Sequence, residues 1–194
     1  MSCVVRDISI NPGVSPNDFR AAMRQLTGGV SVITAGCGRN ISGMTVTSVA
    51  SLSVDPPALI VSVNRAASSL LLVRRYGFFG VNILTSDQLD IAERFTGKDG
   101  LKGADRFTGA EWMTRVSGVP LLVGALAAVD CEVEEIVERH SHAIVIGRVM
   151  DLQLSSRTAA LAYWQGQYVA IDQNEDAIKL AEVSLPAARA LRKT

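Results

Sequence analysis

Between Ser42 and Ser53 the chain reads Ser-Gly-Met-Thr-Val-Thr-Ser-Val-Ala-Ser-Leu-Ser, six hydroxyl side chains in twelve residues, and it soon meets Pro56-Pro57. At a strand's period of two, Thr45, Thr47, Val49, Ser51 and Ser53 share one face. Met44, Val46, Ala50, Leu52 and Val54 share the other, broken only by Ser48, and that face is expected to be core. The hydroxyl face is either a solvated strand surface or a bed of neutral donors that can hold a polar ligand without a fixed charge against it. The two histidines stand together in Glu138-Arg139-His140-Ser141-His142. On a strand, Glu138, His140 and His142 would point to one side, the spacing of a two-histidine, one-carboxylate metal site. A surface turn before the apolar run from Ala143, or a histidine titrating near neutrality beside a cofactor, would give the same letters.

Several familiar chemistries lose their sequence support. Gly36-Cys37-Gly38-Arg39-Asn40-Ile41 starts like a dinucleotide fingerprint, but Ile41 occupies the third glycine position and a strand, not a helix, is expected next. No Walker lysine, GxSxG elbow or HExxH occurs. Cys3, Cys37 and Cys131 form no CxxC pair and are odd in number, so reduced thiols are expected. Lysine plus arginine equals aspartate plus glutamate at 19 each, which lacks the footprint of a nucleic-acid or anionic-membrane binder and points to a small ligand. Met1 to Asn11 has no basic region followed by an apolar stretch, and no apolar run approaches bilayer length, so a cytoplasmic protein is expected.

The 194 residues suit one well-buried core. Ser15-Pro16-Asn17-Asp18 starts a helix in which Phe19, Ala22, Met23 and Leu26 form a buried stripe until Gly28-Gly29. A hairpin is expected from Val30–Thr34, a turn over 36–40, and the hydroxyl-rich strand from Ile41 onward. Beyond the proline pair, Ala58–Val63 reads as strand, Ser68-Ser69 as the cap of a short helix through Val73, and Phe78–Ile83 as strand. A helix over Ser86–Phe95 would turn Leu89, Ala92 and Phe95 inward, and the glycine-rich stretch Thr96–Gly109 reads as a mobile loop able to act as a lid. Strands are expected over Ala127–Val137, Ala143–Met150 and Tyr168–Ile171. Their irregular alternation with helices favours a mainly β fold, an antiparallel barrel with peripheral helices, over a parallel βαβ sheet. The main domain spans residues 16–172, and 173–194 form a C-terminal tail with a helix over Ala177–Arg192 interrupted at Pro186.

In chain order, Leu26-Thr27-Gly28-Gly29-Val30, Gly43-Met44-Thr45-Val46-Thr47-Ser48, Asn64-Arg65 with Ser68-Ser69, and Phe79-Gly80-Val81-Asn82-Ile83-Leu84 make a recognisable series. Arg94-Phe95, Asp105-Arg106-Phe107, Gly118-Val119-Pro120, His142 with Gly147, and Tyr163-Trp164-Gln165-Gly166-Gln167-Tyr168 continue it. The series closely resembles the short-chain flavin reductases. The resemblance implies an FMN-binding split β-barrel, usually a homodimer with flavin near the subunit interface, and NADH- or NADPH-dependent reduction of FMN or FAD. It also implies the reductase component of a two-component system, with a flavin-dependent monooxygenase as partner.

Carried over by position, Ile41, Ser42, Gly43, Met44, Thr45, Thr47 and Ser48 would line the isoalloxazine and ribityl chain. Ser62, Val63, Asn64, Ser68 and Ser69 would hold ribityl and phosphate, and Arg94 and Phe95 would close over the phosphate side. Serines at a helix N-terminus with an arginine suit a phosphate, which takes charge-assisted hydrogen bonds of about 1.5–3 kcal/mol each. His142 matches the histidine of the family's glycine-aspartate-histidine motif beside the nicotinamide, with His140 and Ser141 at the preceding positions. Ser141 thus lacks the carboxylate expected to orient or charge the imidazole. Trp164 stands where tyrosine is common, as a cover for flavin or nicotinamide or as packing at the barrel end. Thr47 replaces a frequent asparagine or glutamine, which leaves FMN against FAD open. Three alternatives stand beside the flavin reductase: a split-barrel flavin carrier that uses no pyridine nucleotide, a flavoprotein reducing a bound acceptor such as a corrin cobalt, and a metal-binding barrel at Glu138, His140 and His142.

Overall fold

The computed structural model describes residues 13–97 and 100–172. Helix α1 (Pro16–Met23) leads through a two-residue strand β1 (Gly28–Gly29) into the hairpin of β2 (Ser31–Cys37) and β3 (Asn40–Val46). Then come β4 (Val49–Val54), β5 (Pro57–Asn64), α2 (Ser68–Tyr76), β6 (Phe78–Ile83) and α3 (Leu89–Arg94). After a 3-10 turn over Gly103–Phe107 follow β7 (Trp112–Met113), β8 (Leu121–Leu122), β9 (Ala127–Arg139), β10 (His142–Leu154), β11 (Ala159–Trp164) and β12 (Gln167–Asp172). No helix among the described residues is long and apolar enough to cross a membrane.

The main sheet has seven strands in the order β3-β2-β6-β9-β10-β5-β4, each neighbouring pair antiparallel. Strands β3 and β4 are consecutive in the chain yet occupy opposite edges, with only Thr47 and Ser48 between them. In a flat sheet those edges would lie about 29 Å apart at roughly 4.8 Å per strand. The three peptide steps from Val46 to Val49 reach at most about 11 Å. The sheet must therefore curl until its edges approach at this link, and the Ser48 hydroxyl donates to the Ser62 carbonyl at 2.7 Å beside it. No β3–β4 ladder forms, so the barrel is split as well as antiparallel.

A second sheet, β1-β11-β12, is stitched to the barrel by Val30 N–H donating to Leu161 O at 2.9 Å and Leu161 N–H donating to Leu84 O at 3.1 Å. One core, with Ile33, Val61, Val63, Leu70, Phe79, Val81 and Val145, fills the barrel beneath α2. The other, with Val30, Val32, Leu84, Ile91, Phe95, Phe107 and Leu161, lies between the barrel, α3 and the second sheet. Burial pushes the Cys131 thiol up to about 12, which makes it an inert core side chain.

The structure corrects several expectations. The hydroxyl-rich segment is two strands, not one, because crossing the seam requires a break at Thr47-Ser48; Leu52 and Val54 on edge strand β4 are exposed, not core. Helix α1 begins as expected, with the Ser15 hydroxyl accepting from Asp18 N–H at 3.1 Å, but Phe19, Met23 and Leu26 are exposed. The cap of α2 is Ala67, and Ser68 and Ser69 sit inside its first turn with their side chains directed at β3. In α3 it is Ile91, not Leu89, that joins Ala92 and Phe95 inward. Residues 96–109 are tethered where described: Phe107 is buried between Phe95 and Trp112, and Arg106 donates to the Gly43 carbonyl at 2.6 Å. The expected tail helix over Ala177–Arg192 lies outside the described residues.

Candidate functional site

Strand β3 divides the site because alternate side chains leave opposite faces. Its even residues meet α2: Ser42 Oγ lies 3.1 Å from Ser68 Oγ, and Ser69 Oγ donates to Met44 Sδ at 3.4 Å. Its odd residues meet α3 and the 3-10 turn, with Ile41 against the second core and the Thr45 hydroxyl donating to Ala92 O at 2.5 Å. Thr45 N–H donates to Phe95 O at 3.2 Å. Gly43 is what allows this approach, since a Cβ there would lie 2.6 Å from Ile33 O and 2.7 Å from Phe95 Cε1.

Where β3 runs into the seam, a cleft of about 440 Å³ opens between Thr45, Val46, Thr47, Glu93, Thr96, Tyr163 and Tyr168. That volume is within the roughly 300–1,000 Å³ common for small-molecule sites. Tyr163 and Tyr168 face each other across the β11–β12 hairpin, ring centroids 5.1 Å apart, because the two-residue turn Gln165-Gly166 takes positive φ at both positions. Burial, with Tyr163 and Glu93 nearby, raises the Tyr168 phenol above its ordinary value, so it stands as a neutral donor. Thr47, Tyr163 and Gly166 also line an adjoining pocket of about 250 Å³, where Trp164 meets Arg20, Met23 and Arg24 of the α1 region.

A second recess of about 440 Å³ lies at the C-terminal end of β5, lined by Asn64, Arg65, Leu70, Arg74, Glu138, His140 and Ser141. His142 opens β10 opposite Asn64, and Ala143 and Ile144 face Val63 and Ser62 in register. The Ser141 hydroxyl meets His142 Nδ1 at 2.9 Å. A neutral hydroxyl thereby supplies the orienting contact for which the sequence offers no carboxylate. His140 lies in the turn with φ 50°, so the extended spacing that would align Glu138, His140 and His142 on one strand face does not exist. Glu138 is held instead by Arg74 and by Arg65 at 2.9 Å, which keep its carboxyl below the ordinary range. Among the described residues, no group of three or more His, Cys, Asp or Glu side chains is placed to hold a metal ion.

The expected residues therefore fall into linked clusters. Thr45 and Thr47 share the seam cleft, Ser48 ties it to Ser62, and Asn64 brings His140, Ser141 and His142 alongside. Ser42, Met44, Ser68 and Ser69 form a third group, across β3 from Gly43 and Phe95. Arg94 is not brought to those serines; its guanidinium donates to Thr108 on the 3-10 side. Trp164 is walled with Thr47 and not with His140 and Ser141. The sequence reading missed Tyr163, Tyr168, Glu93 and Arg24 as lining residues, although the tyrosines' symmetric placement about Gln165-Gly166 was a hairpin signal.

The model of the flavin reductase-like domain matches residues 23–172, which carry both recesses and every strand of the main sheet. This chain belongs to the flavin reductase-like family. The FMN reductase (NADH) RutF of Stutzerimonas stutzeri is 35% identical over 151 residues, 78% of this chain and 86% of its own. The reductase component of an FADH2-dependent resorcinol hydroxylase from Rhizobium sp. is 39% identical over 162 residues, 81% of this chain and 88% of its own. The NADH:FAD oxidoreductase SgcE6 of Streptomyces globisporus, solved with NAD and FAD fragments, superposes with a TM-score of 0.75 at 26% identity, covering 84% of this chain and 99% of that one.

For this flavin reductase-like chain, the donor set fits a flavin. A neutral tricycle needs an apolar wall with hydroxyl and amide partners, and the seam cleft offers Val30, Val46 and two tyrosines beside Thr45 and Thr47. A phosphate needs cations and hydroxyls, which Ser68 beside Ser42 and Arg74 at the second recess offer.

Proposed function

We propose that the chain is an NAD(P)H-dependent flavin reductase that passes hydride from nicotinamide to FMN or FAD. The observation that carries this reading is the seam: Thr47 of the covalent crossing between the sheet's edges lines a ligand-sized cleft in which the hydroxyls of Thr45, Thr47, Thr96, Tyr163 and Tyr168 gather around a single carboxylate, Glu93. When bound, flavin supplies the redox chemistry by accepting hydride at its ring N5. The protein's part is then to hold and orient. Thr45, Thr47 and Ser48, with the preceding residues Ile41 to Met44, would border the ring and ribityl chain. Ser62, Val63 and Asn64, with Ser68 and Ser69, would hold the ribityl and phosphate, and Arg94 and Phe95 would support the wall beyond β3. His142, oriented by Ser141 and flanked by His140, would meet the nicotinamide, with Trp164 as a cover from the α1 side. The Ser141 contact also favours this reading over a flavin carrier without pyridine-nucleotide activity, since that alternative drew on an unoriented imidazole.

The test is an aerobic assay in which excess FMN or FAD, NADH or NADPH, and a trace of protein are followed at 340 nm. Oxidation through many turnovers per protein molecule is expected, as for an enzyme that releases reduced flavin. Absence of oxidation with every pairing would remove the reading, and a single anaerobic turnover that leaves the flavin bound would favour an acceptor reductase instead. Relatives such as the resorcinol hydroxylase component support a further step, delivery of the released flavin to a partner monooxygenase.

The active species is proposed to be a homodimer. Phe19, Met23 and Leu26 leave an apolar stripe exposed in and just beyond α1, while Met23 and Leu26 line the Trp164 pocket, so a second copy on this face would wall the cleft.

A further inference from the structure

Arg65 lines the second recess between Asn64 and the β9–β10 turn, and its polar groups are turned to that turn. It follows Asn64 at the end of β5, and three of its groups cross to the β9–β10 turn. Its backbone N–H donates to Ser141 O at 3.0 Å, its Nη1 donates to His140 O at 3.1 Å, and its Nη2 pairs with Glu138 at 2.9 Å. Arg74 reaches from α2 to the other oxygen of the same carboxylate. Asn64 Oδ1 meanwhile accepts from Ala66 N–H at 2.9 Å and shapes the loop from which Arg65 projects. A single carboxylate is therefore shared by two guanidiniums rooted in different elements, and the planar fork of Arg65 grips both that carboxylate and a turn carbonyl. The turn needs such a hold because His140 sits at φ 50° in a two-residue connection and the next residues are Ser141 and His142.

We propose that Arg65 is a positioning residue: through Glu138 and the His140 carbonyl it holds the turn that presents Ser141 and His142 at a fixed place across from Asn64. This inference rests on the reading of His142 as a nicotinamide contact. In this role Arg65 acts through the turn and not by its own contact with substrate or cofactor. Loosening the turn would misplace the imidazole while leaving the flavin cradle at β3 and β5 intact.

The test replaces Arg65→Met, Glu138→Gln and both together in the full chain. Three quantities are read: the NADH KM and kcat, the Kd of NAD+ on flavin-loaded protein by calorimetry, and the Kd of FMN and of riboflavin by fluorescence quenching. Arg65→Met is expected to raise the NADH KM and the NAD+ Kd about 3- to 10-fold, the scale of losing one or two partly exposed polar contacts. FMN and riboflavin affinities should stay within twofold, and the double variant should be no worse than Arg65→Met alone because both changes break one linkage. A loss of FMN affinity without loss of riboflavin affinity would instead make Arg65 a direct phosphate ligand and overturn the proposal. Additive effects, or an unchanged NAD+ Kd, would overturn it as well. Should Arg65→Met not fold, Glu138→Gln carries the test with the same readouts. A wild-type protein that binds no flavin, or oxidises neither NADH nor NADPH, removes the underlying reading; a working wild type whose variants keep their NAD+ affinity removes this inference alone.

Discussion

Two residues carry the sharpest expectations because each has one job that the structure isolates. At Gly43 there is no room for a side chain between the Ile33 carbonyl and the Phe95 ring, and one obstacle is backbone that cannot rotate away. Gly43→Ala is expected to cost about 1–3 kcal/mol as β3 shifts, read as a lowered Tm and urea midpoint. Gly29→Ala, where nothing lies within 4 Å of a new Cβ, should stay within about 0.5 kcal/mol of wild type. Ser141→Ala removes the 2.9 Å contact to His142 Nδ1. A neutral hydrogen bond contributes about 0.5–1.5 kcal/mol, so the NADH KM should rise roughly 2- to 10-fold with flavin affinity unchanged. The hydroxyl run that holds Thr45 and Thr47 was legible from composition and spacing, and so was the pair His140 and His142. What they do was not: a period-two pattern continues past Thr47-Ser48 with Ser48 as its one irregularity, and only three-dimensional closure shows that the chain changes edges there.

Elements were most readable where local chemistry alone decides them. The β2–β3 hairpin, β5 and β6 fall where alternation and turn residues place them, and α1 starts at its serine cap with proline at the first helical position. Strand β11 escaped notice because Ala159-Ala160-Leu161-Ala162 has no polar alternation; it is a strand by virtue of pairing with β1 and β12. Burial of α1 could not be read correctly from spacing, since periodicity reports an apolar stripe without saying what covers it. In the proposed homodimer, Phe19→Ser with Leu26→Ser should shift sedimentation from dimer to monomer and weaken flavin binding, while the monomer keeps its β-rich circular dichroism. A variant that remains dimeric would place the interface elsewhere.

The whole molecule is uncharged on balance at pH 7 but not uniform. Among the described residues, three surface carboxylates are held below their ordinary range. For Asp87 the causes are Thr85 and then Arg157, for Glu138 Arg74 and then Arg65, and for Asp151 Arg115 and then the Leu152 N–H. Because the folded values lie below the unfolded ones, this stabilisation is complete above the ordinary carboxylate range near pH 4 and is lost as pH falls through the folded values. Tm should hold steady from pH 7 to about 5 and decline below roughly 4. An Asp151→Asn variant should show a shallower decline, and each exposed pair should contribute modestly. The crossing at Thr47-Ser48 has one more consequence. A short covalent tether sets the gauge of the cleft mouth at that end, much as a clasp sets the gap of a bracelet, so thermal loosening of peripheral loops should leave the opening's span intact. Loss of ligand capture on heating is then expected to coincide with melting of the sheet itself, with no earlier step.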